Sequence, residues 1–356
     1  MSDALHVLNI NLDASELVAF GTFASYFLII ISLFAVILTS LPWSKLNRSP
    51  ACYLFLLLTI GSFIHTWYYM LKYIAASFSE YEAKSVILPG TLLKRMTAWL
   101  QNTYLFEEAW WAASTGKPNW WWSEQICVYT AGAWTVFLFE QGQRYKIRHL
   151  WAYMVLGQSV AITVSSNLFY LALLLAGWQF GPTKRAHDAP PVLWVSVLLS
   201  MITVANSPYT DAKSFLPNLL IMHVLLIIPL FFTERHGHYA GQLSMPYSTL
   251  YIILYVVSFV LRIKTSLAGI RSVSEAGSIW ENFVPFVQSV LAVLHSHPAQ
   301  ASIGWDVIWT SLSFVIWTCL NEPNIIAPIG TVIASAGVVA PWISAGAEVE
   351  VAGKLE

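Results

Sequence analysis

Apolar runs of about 20 residues recur along the whole chain, and they constrain the fold before any motif does. They occupy residues 17–41, 51–71, 123–140, 150–178, 191–207, 214–233, 247–267, 279–295, 303–320 and 325–345. A helix rises about 1.5 Å per residue, so about 20 apolar residues cross the ~30 Å hydrocarbon layer of a bilayer. No water reaches the backbone there, so a spanning segment is helical or part of a closed barrel. Runs this long predict an all-α fold: a polytopic transmembrane helix bundle of about eight or nine spans. The 279–295 run is short and holds Pro285, and 325–345 is interrupted by Gly, Ala and Pro. A re-entrant or interfacial piece is therefore expected near the end. Only 10% of residues are charged, against about 25% in a soluble domain. The net charge of −1 offers no basic field for nucleic acid.

No repeat of fixed period and no soluble domain interrupts this pattern. The expectation is one integral-membrane domain over 1–356, in contact with the lipid bilayer, with a polar tail at 346–356. Residues 72–122 form a long insert in which LLKRMTAWLQNTYLFEEAWWA mixes apolar, aromatic and charged residues. Such a segment suits a helix lying in the interface or a lid over the bundle mouth. Asp3, Asp13 and Glu16 precede or open the first apolar run without any Lys or Arg. That fits neither a cleavable signal nor a transit peptide, so the first run reads as a resident helix. Cys52, Cys127 and Cys319 lack CxxC spacing and read as small apolar residues. With the N-terminus lumenal, Lys45 and Arg48, then Arg144, Lys146 and Arg148, then Arg262, Lys264 and Arg271 all fall on the cytosolic side.

Several runs carry polar stripes at helical spacing. One joins Ser159, Thr163, Ser166, Asn167 and Tyr170. Another joins Gly61, His65 and Tyr68 or Tyr69. A third is the ladder Tyr247, Tyr251, Tyr255, Ser258 and Arg262. A fourth joins Ser302, Asp306, Trp309, Thr310, Ser313 and Trp317. Small polar residues pack helices together in lipid, and the same stripes can line a wet cavity.

Two carboxylates stand about one turn inside a run. Glu124 follows the tryptophans of NWWWSEQ and shares a face with Trp120; Asp306 precedes Trp309 and Thr310. Both are expected at one level. Glu140 lies about 24 Å further along its helix and stands i, i+4 from Arg144, which predicts a terminal ion pair. An acid walled by indole and phenol rings can deliver a proton and then shelter a cation, because ring faces attract positive charge. Asp306 and Glu124 are the candidate acids. Trp309, Trp317, Trp120, Tyr251 and Tyr255, with Asn167, are candidates for a cation pocket, and His65 or His223 for a proton acceptor. The rival explanation of the rings is an interfacial aromatic belt, which accounts well for Trp120–Trp122.

His236–Gly–His238 and His295–Ser–His297 form two HxH pairs able to hold zinc or iron; loop histidines without metal are the plainer reading. HExxH, DDxxD, DxDD, P-loop and GxSxG motifs are missing from the sequence, so a diphosphate-ionising, metal-dependent reaction is not expected and no cofactor is called for.

The blocks NWWWSEQICVYTAGAWTVFLFEQGQRYKIRHLWAYMVLGQSVAITVSSNLFY and QASIGWDVIWTSLSFVIW resemble the fungal integral-membrane terpene cyclases of ascochlorin and ascofuranone biosynthesis. The resemblance implies an endomembrane enzyme, in the endoplasmic reticulum or its derivatives. It implies proton-initiated, metal-free cyclisation of a terminal-epoxide farnesyl chain on a hydrophobic, prenylated aromatic substrate. Related meroterpenoid cyclases use two membrane-embedded acids, which by position in a span correspond to Glu124 and Asp306. Three rivals remain: a transporter built on discontinuous helices, a metal-dependent membrane oxidase using His236, His238, His295 and His297, and a scaffold without chemistry.

Overall fold

The computed structural model describes residues 13–84, 91–178, 188–231, 243–274, 277–320 and 325–355. Among them every regular element is helical, and the single β contact is a bridge between Ala189 and Met245. Four helices are long and apolar enough to cross a membrane: α1 (Ala14–Ser40), α2 (Pro50–Lys84), α9 (Pro191–Asn206, extended to Tyr209 by a 3-10 turn) and α11 (Tyr247–Arg271). Shorter apolar helices accompany them, among them α8 (Ile162–Ala176), α10 (Phe215–Phe231) and α12 (Ile279–Val293). The outward faces of α1, α2, α9, α10 and α11 expose Leu28, Ile64, Ile202, Ile221 and Val260, a surface suited to lipid rather than water. The protein is thus all-helical, with helices fit to cross a membrane several times.

The insert begins later than expected, because α2 runs unbroken to Lys84. Two short helices follow, α3 (Leu92–Asn102) and α4 (Leu105–Ser114). The amphipathic α3 buries Trp99, whose Nε1 donates to Ser77 Oγ (3.1 Å) on α2. Gly116, at φ +94°, turns the chain into α5 (Lys117–Tyr129), whose first turn takes Pro118. A π-helical segment, Thr130–Trp134, joins α5 to α6 (Thr135–Arg144). Its break at Gly132 frees a backbone carbonyl, and Thr135 Oγ1 donates to Thr130 O (2.6 Å).

The 150–178 run is not one span. It folds into α7 (Leu150–Ser159) and α8, separated at Val160 and Ala161. At about 15 and 22 Å these are too short to cross separately. They double back: the Tyr153 carbonyl accepts from Ser165 Oγ, and the Tyr153 and Phe169 rings meet edge-on at 5.5 Å. The result is a re-entrant hairpin in mid-chain, where the sequence reading expected a single span. The break also separates Ser159 from the stripe Thr163, Ser166, Asn167 and Tyr170. The tip lies at mid-depth. Tyr26, halfway along α1, donates to the Ser159 carbonyl (2.7 Å), and Gln158 Nε2 donates to the carbonyl of His223, halfway along α10 (3.3 Å). Almost every residue of α8 is buried, so the hairpin is the centre of the core.

The last run divides similarly, into α14 (Ile326–Ile333) and α15 (Ala336–Leu355), with Ser335 held at φ +125° between them. Before it stands α13 (Pro298–Cys319), which packs on α2, α5 and α8.

Candidate functional site

α5 and α13 run side by side in one direction. A Cβ on Gly304 would lie 3.8 Å from the Trp122 ring, and Tyr129 lies 6.3 Å from Phe314, centroid to centroid. That register sets Glu124 level with Asp306. Both side chains are buried, at 2% and 5% exposure. They turn to different partners.

Glu124 faces α11. Its Oε2 accepts from Arg262 Nη1 at 2.8 Å, and the same nitrogen donates to the Trp121 carbonyl at 3.1 Å. The guanidinium carbon lies 4.1 Å from the Trp121 ring centroid, a cation–π contact that fixes the arginine head. Glu124 Oε1 is buried without a hydrogen-bond partner. Glu124 and Trp120 border a small cleft of about 50 Å³ between α5, α11 and the end of α9, with Lys117, Tyr209, Lys264 and Leu261 around it. Sequence reading places Arg262 both on the ladder that includes Tyr251 and Ser258 and among the cytosolic charges, and assigns it no partner. It sits inside α11, buried on that ladder, and its partner is Glu124. The pairing also revises the orientation. Arg262 lies level with Glu124 near the head of α5, while Arg144 ends α6 at the opposite end of the bundle. The two basic clusters therefore do not share a side.

Asp306 faces the hairpin tip. Its two oxygens accept from the backbone N–H groups of Ile162 and Thr163, each at 2.9 Å, and Oδ1 also accepts from Thr310 Oγ1 at 3.3 Å. These N–H groups open α8 and have no intrahelical partner. A carboxylate there answers both the orphan donors and the positive end of the helix dipole.

The other candidate residues fall in separate places. Trp309 Nε1 donates to His65 Nδ1 (3.1 Å), which uses the Gly61–His65 face to pack α2 on α13. Trp317 stacks on Tyr170 (4.4 Å) and meets Trp178 and Phe55 in an aromatic cluster. Tyr251 donates to Glu140 Oε2 (3.0 Å), and Glu140 Oε1 pairs with Arg144 (3.3 Å), the expected terminal ion pair. Tyr255 is half-buried and stacks on the exposed ring of Phe259. His223 Nδ1 lies 2.7 Å from its own Leu219 carbonyl. Asn167 Nδ2 donates to Thr163 Oγ1 (3.4 Å), leaving Oδ1 buried and unpartnered. Only Trp120 joins Glu124 at the cleft. His236 and His238 lie outside the described residues. His295 meets the Tyr69 hydroxyl (3.3 Å), and His297 caps α13 through Ala299 N (3.3 Å). Burial holds the His297 imidazole below its ordinary pKa. Among the described residues no three His, Cys, Asp or Glu side chains gather closely enough to hold a metal ion.

Fold and site together define an all-helical bundle, apolar outside, with the buried acids Glu124 and Asp306 at one level and a re-entrant hairpin at its centre. Comparison with protein-family profiles, with curated proteins and with solved structures finds no match to this chain.

Proposed function

We propose that the protein is a membrane-bound terpene cyclase that closes rings on the terminal-epoxide farnesyl chain of a prenylated aromatic compound. The observation that carries this reading is Glu124. Arg262 occupies Oε2, so a proton on this carboxyl group belongs on Oε1, which is buried, unpartnered and beside Trp120. Protonation of the epoxide oxygen by that acid opens a C–O bond. The alkene electron pairs then form the new C–C bonds, and loss of a proton from the last cation restores the acid, so product and substrate are isomers. Asp306, with both oxygens taken by backbone donors, holds the hairpin at the centre of the bundle; of the two acids it is the structural one. A farnesyl chain is larger than the cleft, since ligand pockets run to about 300 Å³ or more. Substrate entry therefore parts α9 from α5 and α11. The resemblance of the two sequence blocks supports the same reading and brings with it an endomembrane location as part of the proposal.

The test is incubation of microsomes carrying the protein with epoxyfarnesyl phenols. An isomer of unchanged mass and shifted retention is expected from the wild type and not from Glu124→Gln. Normal product from Glu124→Gln would remove Glu124 from the chemistry. One observation favours a second reading, transport: helices broken at mid-depth, as in the 150–176 hairpin, are the way transporters build substrate sites. Unchanged epoxyfarnesyl phenol accumulating inside sealed vesicles would select it.

A further inference from the structure

The charges around the Glu124 cleft do not balance. Arg262 is consumed inside: one nitrogen serves both Glu124 and the Trp121 carbonyl, and its guanidinium lies on the Trp121 ring. With Glu124 as a carboxylate that pair leaves no net charge, and with Glu124 protonated it adds a further positive charge to the cleft. Lys117 and Lys264 remain at the mouth, both exposed, and neither forms an ion pair with a described carboxylate. Lys264 stands 5.0 Å over the Tyr209 ring, which holds its ammonium at the cleft. Leu261 lies inward of Lys264 on α11, and Val204 adds a second apolar wall to the lining. Two unanswered cations over an apolar slot suit an amphiphile whose polar end is an oxyanion.

We infer that Lys117 and Lys264 hold an oxyanion on the substrate's polar head, a phenolate or carboxylate, while the apolar chain runs inward past Trp120 to Glu124. The inference rests on the cyclase reading for what happens to the chain, and not for the binding itself. A lipid phosphate is the other source of such an oxyanion. It is disfavoured by the apolar slot beneath the lysines, which leads to an acid rather than along the outer surface.

Binding of tritiated 4-dodecylbenzoate and of its uncharged methyl ester tests this, with the full chain in phosphatidylcholine nanodiscs. Each exposed pair contributes little, so the lysines together are expected to favour the acid over the ester by about fivefold. Lys117→Gln/Lys264→Gln should lose that preference and keep the ester's affinity, and Lys117→Arg/Lys264→Arg should restore it. Equal binding of acid and ester by the wild type overturns the inference, as does a preference that survives the double Gln change. Loss of the preference in nanodiscs containing phosphatidylglycerol assigns the lysines to lipid phosphate and overturns it too. Acid binding without any cyclised isomer from the epoxyfarnesyl phenols sinks the cyclase reading and leaves the oxyanion site standing.

Discussion

Glu124 meets a side chain and Asp306 meets a backbone, although the two acids lie level on neighbouring parallel helices. The Glu124–Arg262 pair joins two helices that are complete without it, and one carboxylate oxygen is left over. Asp306 completes a helix that cannot otherwise end where it does. Its oxygens satisfy the first N–H groups of α8 in the middle of the bundle, where water is not at hand. Equal burial thus hides unequal roles: one acid has spare bonding capacity, and the other is spent on the fold.

The sharpest way to break this contrast is Asp306→Ala. It orphans two buried N–H groups, at about 1–3 kcal/mol each, so a loss of about 4 kcal/mol is expected. Fluorescence-detected gel filtration after heating should show little folded protein; a thermal midpoint equal to the wild type would make the cap dispensable. Next comes Arg262→Met, which strands a buried carboxylate and should cost about 3 kcal/mol. Adding Glu124→Gln to it removes that charge, and recovery of most of the lost midpoint is expected; no recovery would mean that Arg262 acts mainly through Trp121. Third, Glu124→Gln alone keeps a hydrogen bond to Arg262 and should cost about 1 kcal/mol while abolishing isomer formation in microsomes. A variant that fails to fold would place Glu124 with Asp306 in the structural role. The smallest effect belongs to Thr310→Val, which deletes one of three bonds to Asp306. About 1 kcal/mol is expected, with product formation retained.

Periodicity and hydropathy were enough to read the helical class, the lipid-facing exterior and the level of the two acids. The Glu140–Arg144 pair was legible as well, because i, i+4 geometry is local. The hairpin was not legible, for a physical reason. Neither Gly nor Pro marks the break at Val160–Ala161, and the polar stripe from Ser159 to Tyr170 crosses it at unbroken helical spacing, so the 150–178 run reads as one helix. The signal that remained was Asp306 itself, a carboxylate in an apolar run with no Lys or Arg near it in sequence. Arg262 was legible on its ladder but not as the partner of Glu124, because a positive residue near the end of an apolar run also suits a loop, and α11 continues to Arg271. The aromatic candidates do not stand together: Trp120 lines the cleft and the others lie elsewhere. Trp309, Trp317 and Tyr251 each answer a neighbour in helix packing, which a ring census does not distinguish from a cavity wall.

The hairpin also sets an order of events during synthesis. Ile162 and Asp306 are 144 residues apart in the chain. At about 5–20 residues per second, the ribosome delivers the carboxylate on the order of ten seconds after the tip has emerged. Until then the opening N–H groups of α8 have to be held elsewhere, by water at the membrane surface or by the insertion machinery. The segment that becomes the centre of the protein is therefore among the last to settle, and a chain stalled before residue 306 would carry its innermost helix pair unsealed.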